Sequence, residues 1–210
     1  MIIAVDGPAA SGKGTIARAL ARHYGLPHLD TGLIYRAVAR RLLDEGGDPA
    51  DAEAAAAACD FDDALLGDPR LKDDDAGKAA SIVSAHPAVR AALIERQKRF
   101  AAQDGGAVLD GRDIGTVIAP DADAKLFVRA TSAIRARRRH DELRKAGSML
   151  SYDRVLADLK ARDLRDTTRA SAPLRQAADA VALDTSFLSV ESAISHAIEI
   201  VEQRRAAARA

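Results

Sequence analysis

Residues 2–15, IIAVDGPAASGKGT, decide the fold of this chain. A short apolar run, typical of a buried strand, leads directly into a glycine-rich loop and then into a segment with helical spacing. The loop matches the pattern G-x-x-x-x-G-K-[ST] with one glycine inserted before the threonine. In such loops, backbone N–H groups and the positive end of the following helix cradle phosphate oxygens. The stretch therefore predicts an α/β fold that binds a nucleoside triphosphate; the alternative is an ordinary glycine-rich turn.

The loop also predicts which residues contact the triphosphate. We expect Lys13 to reach the outer phosphates of ATP and the Thr15 hydroxyl to meet Mg²⁺. The chain contains no Asn, so it lacks the N-K-x-D sequence with which P-loop GTPases recognise guanine. The residues expected to bind ATP are Gly7, Pro8, Ala9, Ala10, Ser11, Gly12, Lys13, Gly14 and Thr15.

Apolar runs and helical patterns alternate along the rest of the chain, which favours a parallel sheet covered by helices. Residues 60–75 hold seven Asp and predict an exposed, mobile connection. We expect strands at 2–5, 28–30, 107–109, 125–128 and 180–183, and helices at about 13–24, 32–45, 51–59, 76–85, 88–103, 131–145, 151–166 and 189–205.

The composition argues against several classes of protein. With 31 basic and 31 acidic residues, nothing marks the whole chain as a nucleic-acid or membrane binder. No apolar run approaches the roughly 20 residues of a membrane span. Cys59 is the single cysteine and fits a reducing compartment. Because a strand-like run stands where a signal peptide would begin, we expect a cytoplasmic location.

Two clusters follow predicted strands and are candidates for binding a second substrate. In LDTGLIYR, residues 29–36, the side chains of Thr31, Tyr35 and Arg36 suit the phosphate and sugar of a nucleotide. The alternative is that Thr31 is an ordinary turn or cap residue and Tyr35 an ordinary core aromatic.

The second cluster is LDGRDIGT, residues 109–116, at the carboxyl end of a strand, where ligands bind in parallel α/β sheets. Asp110 is the candidate for binding Mg²⁺ through water. Arg112 and Asp113 either contact the ligand or form a structural salt bridge with each other.

A third cluster lies near the end of a predicted helix. Arg162, Asp166 and Arg169 fall on one helical face and suit sugar hydroxyls and a phosphate. The alternative is a set of surface ion pairs. The segment 129–145, with seven Arg or Lys, indicates either a local anionic ligand or a solvated helix face.

Five strings in order resemble the bacterial cytidylate kinases: GPAASGKGT, LDTGLIYR, AASIVSAHPAVR, LDGRDIGT and ARDLRDTTRASAP. The resemblance implies a P-loop NTPase-type three-layer fold with a five-stranded parallel sheet, an acceptor-binding lobe and an Arg-rich lid. It implies one domain over 1–210, with a core at 1–30, 104–130 and 170–210, a lobe at about 31–103 and a lid at about 131–169. The segment 60–75 is too short for the small β-sheet insert of many family members, so the chain resembles the short type.

The resemblance implies that the enzyme phosphorylates CMP and dCMP to CDP and dCDP with ATP and Mg²⁺, as a monomer in pyrimidine nucleotide metabolism. Another P-loop kinase acting on UMP, AMP or a small molecule is the nearest alternative. A non-catalytic nucleotide-binding or nucleic-acid-binding module using 129–145 is a further alternative. No aromatic residue interleaves those arginines, which argues against base stacking.

The resemblance also implies roles for individual acceptor residues. Thr31 and Arg36 would face the CMP phosphate and sugar, and Ser81, Arg90 and Asp113 would contact the cytosine edge. Arg112 and Arg169 would hold the phosphate, and Arg162 with Asp166 would contact the ribose.

The implied lid arginines are Arg135, Arg138 and Arg139. Their i, i+3, i+4 spacing predicts three guanidinium groups on one helix face that close over the transferring phosphoryl group. Together with Lys13 and Arg112 they are the candidate catalytic residues. Phosphoryl transfer requires positioning and charge neutralisation, so we expect no protein nucleophile.

Overall fold

A five-stranded parallel sheet lies at the centre of the protein, and the computed structural model describes residues 1–207. The sheet order is β2-β3-β1-β4-β5, so the strand that leads into the glycine-rich loop occupies the middle. All neighbouring pairs are parallel. This confirms the predicted fold class. The strands are β1 (Ile2–Asp6), β2 (His28–Asp30), β3 (Ala107–Gly111), β4 (Ala124–Arg129) and β5 (Val181–Asp184).

The predicted helices are all found, with ends that differ by a few residues. They are α1 (Lys13–Tyr24), α2 (Thr31–Asp44), α3 (Ala52–Ala57), α4 (Asp74–Val83), α5 (Pro87–Ala101), α6 (Ser132–Lys145), α7 (Tyr152–Thr168) and α8 (Val190–Ala207).

The connection at 60–75 is more ordered than we expected. It forms two short 3-10 turns, Asp63–Gly67 and Pro69–Lys72. The side chain of Leu71 is buried, and its carbonyl accepts a hydrogen bond from Arg36. These contacts fix the second turn against α2.

Helices cover both faces of the sheet, which makes three layers. On one face, Leu20 of α1 and Val201 of α8 pack against Ile3 and Val5 of β1. On the other face, α5 and a π-helical turn at Ile114–Ile118 cover the sheet. Burial on both faces explains why β1 reads as a continuous apolar run.

Two groups of helices are inserted between neighbouring strands. Between β2 and β3, α2 to α5 form their own core around residues such as Val38 and Leu93. Between β4 and β5, α6 and α7 pack on each other and on Ala9 of the glycine-rich loop. Within residues 1–207, none of the helices combines the length and the apolarity that crossing a bilayer requires. Residues 208–210 of the predicted core lie outside the described residues.

Candidate active site

The glycine-rich loop curls back on itself at the end of β1. Gly7 has a φ of 153°, and a Cβ there would lie 2.0 Å from the carbonyl oxygen of Val128, so the position admits only glycine. Ala10 and Gly12 adopt the left-handed conformation, with φ of 58° and 91°. Because α1 begins at Lys13, the first N–H groups of the helix have no intrahelical partner. This geometry suits a bound anion.

Asp110, at the carboxyl end of β3, is fully buried next to the loop. Its Oδ1 lies 2.8 Å from Nε2 of His28, and its Oδ2 lies 3.5 Å from Nζ of Lys13. Among residues 1–207, Oδ2 has no hydrogen-bond partner. Burial raises the pKa of Asp110, but the hydrogen bond to His28 and the charge of Lys13 outweigh it and hold the pKa below its usual range.

This carboxylate fits a divalent cation. It is ionised, and its Oδ2 accepts no hydrogen bond from residues 1–207. This oxygen lies close to Gly14, the residue before Thr15, since a Cβ built on Gly14 would be 3.6 Å from it. Oxygen ligands of this kind are those that Mg²⁺ prefers. The ammonium group of Lys13 lies beside this carboxylate, and its pKa is lowered, first by burial and then by the charge of Arg112.

A small cavity of about 40 Å³, lined mostly by buried side chains, lies between α2, α4, the end of β3 and α7. It brings together most of the predicted acceptor residues. Those that line it are Thr31, Tyr35, Arg90, Arg112, Asp113, Arg162, Asp166 and Arg169, and the others are Gly32, Ala80, Ser84 and Gly111.

Ion pairs organise this acceptor cavity. Nε of Arg112 donates to Oδ2 of Asp166 over 2.8 Å. Asp113 pairs with Arg90 and, over 3.4 Å, with Arg169. Arg112 and Asp113 therefore do not pair with each other, so that alternative is wrong.

The surface-ion-pair alternative for the third cluster is wrong as well. Asp166 is only 3% exposed, and burial, then the charge of Arg112, lowers the pKa of Arg162 to about 9. Buried Nε of Arg162 and buried Nε and Nη1 of Arg90 find no partner within residues 1–207. Buried donors are normally satisfied. The cavity therefore offers unpaired donors to a ligand that carries acceptors.

Thr31 and Tyr35 lie in the wall of this cavity, in contacts of their own. Oγ1 of Thr31 donates to the carbonyl of Asp110 over 2.9 Å. The Arg90 guanidinium lies over the Tyr35 ring, 5.7 Å from its centroid. Thr31 thus contacts the end of β3, and Tyr35 packs against Arg90 in the wall of the cavity.

Two predicted acceptor residues lie outside the cavity. Both Nε and Nη2 of Arg165 lie 3.2 Å from Oγ of Ser81, and Ser84 lines the cavity instead. Nη1 of Arg36 donates to the carbonyls of Leu71 and Asp73 over 2.7 and 3.2 Å. The structure therefore does not bring Ser81 and Arg36 together with Arg90 and Asp113.

The lid arginines do not converge as their spacing suggests. Arg135 is buried and forms two hydrogen bonds of 3.0 and 2.7 Å with Asp163. Arg138 donates to the carbonyl of Thr185 over 2.7 Å, and Arg139 lies 3.3 Å from Asp74. Each guanidinium has an acceptor on a different element, which separates the three groups.

A second cavity, of about 450 Å³, opens beside the loop. Apolar side chains from α1 and α8 form one wall, and charged side chains of α6, two basic (Arg138 and Lys145) and two acidic (Asp141 and Glu142), form another. Such a mixture suits a flat nucleobase attached to phosphates. The lining residues include Gly12, Thr15, Ile16, Arg138, Lys145, Thr185, Leu188, Val190 and Ala193.

Comparison with known proteins places this geometry in a family. A family model described as cytidylate kinase matches residues 3–203. The chain belongs to the cytidylate kinase family. It is 57% identical to a cytidylate kinase of Methylocella silvestris over 216 residues, with 100% of this chain and 98% of the relative covered. It is 58% identical to a cytidylate kinase of Xanthobacter autotrophicus, with 98% of this chain and 99% of the relative covered.

Family membership confirms the predicted enzyme class, an ATP-dependent kinase. A crystal structure of an uncharacterised protein from Eubacterium ventriosum resembles the fold, with a TM-score of 0.54 and 16% identity. The match covers 96% of this chain and 98% of the Eubacterium ventriosum chain. At this identity the likeness concerns the fold alone.

Sequence reasoning missed His28 and Ser84 at the site, and Arg165, which contacts Ser81 outside the acceptor cavity. His28 and Asp110 share a face only because His28 pairs with Val108 in the parallel register. Ser84 follows Ser81 by one helical turn, so the sequence alone does not distinguish them. Arg165 lies three residues after Arg162, in a segment that contains both Arg and Asp, and carries no signal of its own.

Proposed function

We propose that this enzyme transfers the γ-phosphoryl group of ATP to CMP and dCMP, in pyrimidine nucleotide metabolism. The observation that carries the proposal is the acceptor cavity, in which Arg90 and Arg162 retain unpaired donors. The end of β3 places this cavity beside Asp110 and Lys13, where the triphosphate would lie. Donor and acceptor phosphates would therefore meet at the carboxyl ends of β1 and β3.

ATP would bind with its phosphates on Gly7 to Thr15 and its base in the second cavity. Thr15 and Asp110 would hold Mg²⁺, Asp110 through water. Within residues 1–207, no group of three or more His, Cys, Asp or Glu forms a metal cluster, so phosphate oxygens and water would complete the coordination. When bound, the ion neutralises charge on the phosphates.

The Arg90–Asp113 pair suits the edge of cytosine. Cytosine offers a donor at N4 beside acceptors at N3 and O2, and a carboxylate beside a guanidinium complements that order. Uracil places an acceptor at O4, opposite the carboxylate, which costs the hydrogen bond and leaves a buried acceptor unpaired.

The remaining residues would act on the phosphates and the sugar. Arg112 and Arg169 would hold the CMP phosphate, and Arg162 with Asp166 would contact the ribose. A CMP phosphate oxygen would attack the γ-phosphorus in line while the bond to the oxygen that bridges the β- and γ-phosphates breaks, so that ADP leaves. Lys13 and the arginines would neutralise the charge.

Closure of the lid on the bound substrates would exclude water from this reaction. Five proposed residues make contacts outside the acceptor cavity in this structure: Arg36, Ser81, Arg135, Arg138 and Arg139. Their roles require these contacts to open when CMP and ATP bind.

A coupled assay of ADP release tests the proposal. We expect rapid turnover of CMP and dCMP with ATP and Mg²⁺, and much slower turnover of UMP, AMP and GMP. Turnover of AMP or UMP equal to that of CMP would favour the alternative nucleotide kinase.

We also propose that the enzyme is a cytoplasmic monomer. The single Cys59 is half-buried, and burial raises the pKa of its thiol to about 11, which makes it unreactive. Light scattering after gel filtration measures the mass, and fractionation of cells measures the location. A mass of twice 22.2 kDa would contradict the monomer.

A further inference from the structure

His28 contacts Asp110 of the candidate site, although the proposed reaction assigns it no role. It is the first residue of β2 and pairs with Val108, two residues before Asp110. Side chains two residues apart on a strand point to the same face. The His28 ring therefore extends along the sheet toward the Asp110 carboxylate, and its side chain is 17% exposed.

The contact divides the two carboxylate oxygens of Asp110 between different partners. An ionised carboxylate only accepts hydrogen bonds, so Nε2 of His28 carries the proton and donates to Oδ1 over 2.8 Å. Oδ2 is left facing Lys13, 3.5 Å from Nζ, without a hydrogen bond from residues 1–207. Rotation of the carboxylate plane away from this orientation would break the His28 bond and turn the second oxygen away from Lys13.

Other contacts fix the backbone but not the carboxylate. Thr31 binds the carbonyl of Asp110 rather than its side chain. Lys13 lies on the other oxygen, Oδ2, and the phosphates of ATP would compete for its charge. When ATP binds, His28 is the group that continues to hold Oδ1.

We propose that His28 is a positioning residue for phosphoryl transfer, which keeps Oδ2 of Asp110 directed at the metal and phosphate position. The inference rests on the proposed function only in that the metal accompanies ATP. Partners of this outer kind orient ligands, and their loss typically costs about 10–100-fold in metal affinity or activity.

Two substitutions separate positioning from packing. His28→Leu introduces an apolar side chain of similar bulk and removes the hydrogen-bond donor. His28→Gln places an amide N–H near the position of Nε2. His196→Leu, at an exposed histidine of α8, is the matched control.

The decisive measurement is equilibrium binding of a fluorescent ATP analogue, with EDTA and across a Mg²⁺ titration. For His28→Leu we expect unchanged binding in EDTA and a rise of about 10–100-fold in the Mg²⁺ concentration that half-saturates the metal-dependent increase. His28→Gln should restore most of the metal response, and His196→Leu should match the wild type. In the CMP assay, His28→Leu should lower kcat with little change in KM for CMP.

Two results would overturn the inference. One is a wild-type Mg²⁺ response in His28→Leu. The other is an equal loss in His28→Leu and His28→Gln together with a lower melting temperature, which would make His28 a packing residue. If the wild type fails to phosphorylate CMP, the proposed function fails, whereas the binding measurement still decides the role of His28.

Discussion

Nε of Arg112 donates to Oδ2 of Asp166 over 2.8 Å, joining the end of β3 to α7. Both side chains are largely buried. Burial lowers the pKa of Arg112 and raises that of Asp166, but their mutual attraction reverses both shifts. Through this pair the sheet, rather than the lid alone, fixes the position of the residues proposed to meet the ribose.

Replacement of Asp166 tests that position. Asp166→Asn should weaken CMP binding by about 1–3 kcal/mol, because a sugar hydroxyl loses a charged acceptor. ATP affinity should stay unchanged, and the ratio of kcat/KM for CMP to that for dCMP should shift. Asp153→Asn, exposed on the same helix, is the control. Wild-type kcat/KM for both acceptors would remove Asp166 from the site.

The lid arginines should differ in their effects. Arg135→Ala leaves Asp163 without its partner and removes a donor to the carbonyl of Ala9. We expect it to destabilise the fold by about 1–3 kcal/mol, because two acceptors lose their donor while the remaining carboxylate stays partly solvated, and to lower kcat.

Arg139→Ala removes a partly exposed ion pair with Asp74, worth about 0–1 kcal/mol. We therefore expect a fall in kcat with little change in stability. Urea unfolding and steady-state kinetics measure both, with exposed Arg137→Ala as control. A change in KM alone for Arg139→Ala would favour a simple binding face.

Asp6 predicts a dependence of stability on pH. Burial raises its pKa to about 7, although it accepts hydrogen bonds from the N–H groups of Ile114 and Gly115, and Asp113 raises the pKa further. The native state therefore binds more protons than the unfolded state between pH 4 and 7, so stability falls as pH rises through this range, by up to about 1.4 kcal/mol per unit.

Urea unfolding of the wild type and Asp6→Asn at pH 5, 6, 7 and 8 measures this effect. The wild-type free energy of unfolding should fall relative to that of the variant up to pH 7 and then level off. A constant difference across the series would show that Asp6 is ionised throughout.

Lys13→Ala should reduce turnover by at least about 10²-fold, because the donor phosphates lose a charged contact that strengthens in the transition state. Lys13 lies beside Asp110 rather than in the core. Thermal melting without ligand should therefore change little, and a steep fall would show that the Lys13–Asp110 contact is needed for folding.

The strands and the loop were predictable because their signals are local. β1 is buried on both faces, so its sequence is a continuous apolar run. Gly7 lies where any side chain would clash with the backbone of Val128. Partners of charged groups were not predictable. The spacing of Arg135, Arg138 and Arg139 says nothing about acceptors on other elements. His28 meets Asp110 only through the register of two strands far apart in sequence.

Each inserted group of helices leaves and re-enters the sheet at adjacent strands, β2 with β3 and β4 with β5. The two points at which each group is attached to the sheet are therefore adjacent. Either group can tilt without sliding one strand past another, so movement need not strain the ladder of backbone hydrogen bonds. For the same reason, lengthening or shortening the segment around 60–75 should alter the acceptor side while the register of β2 on β3 is kept.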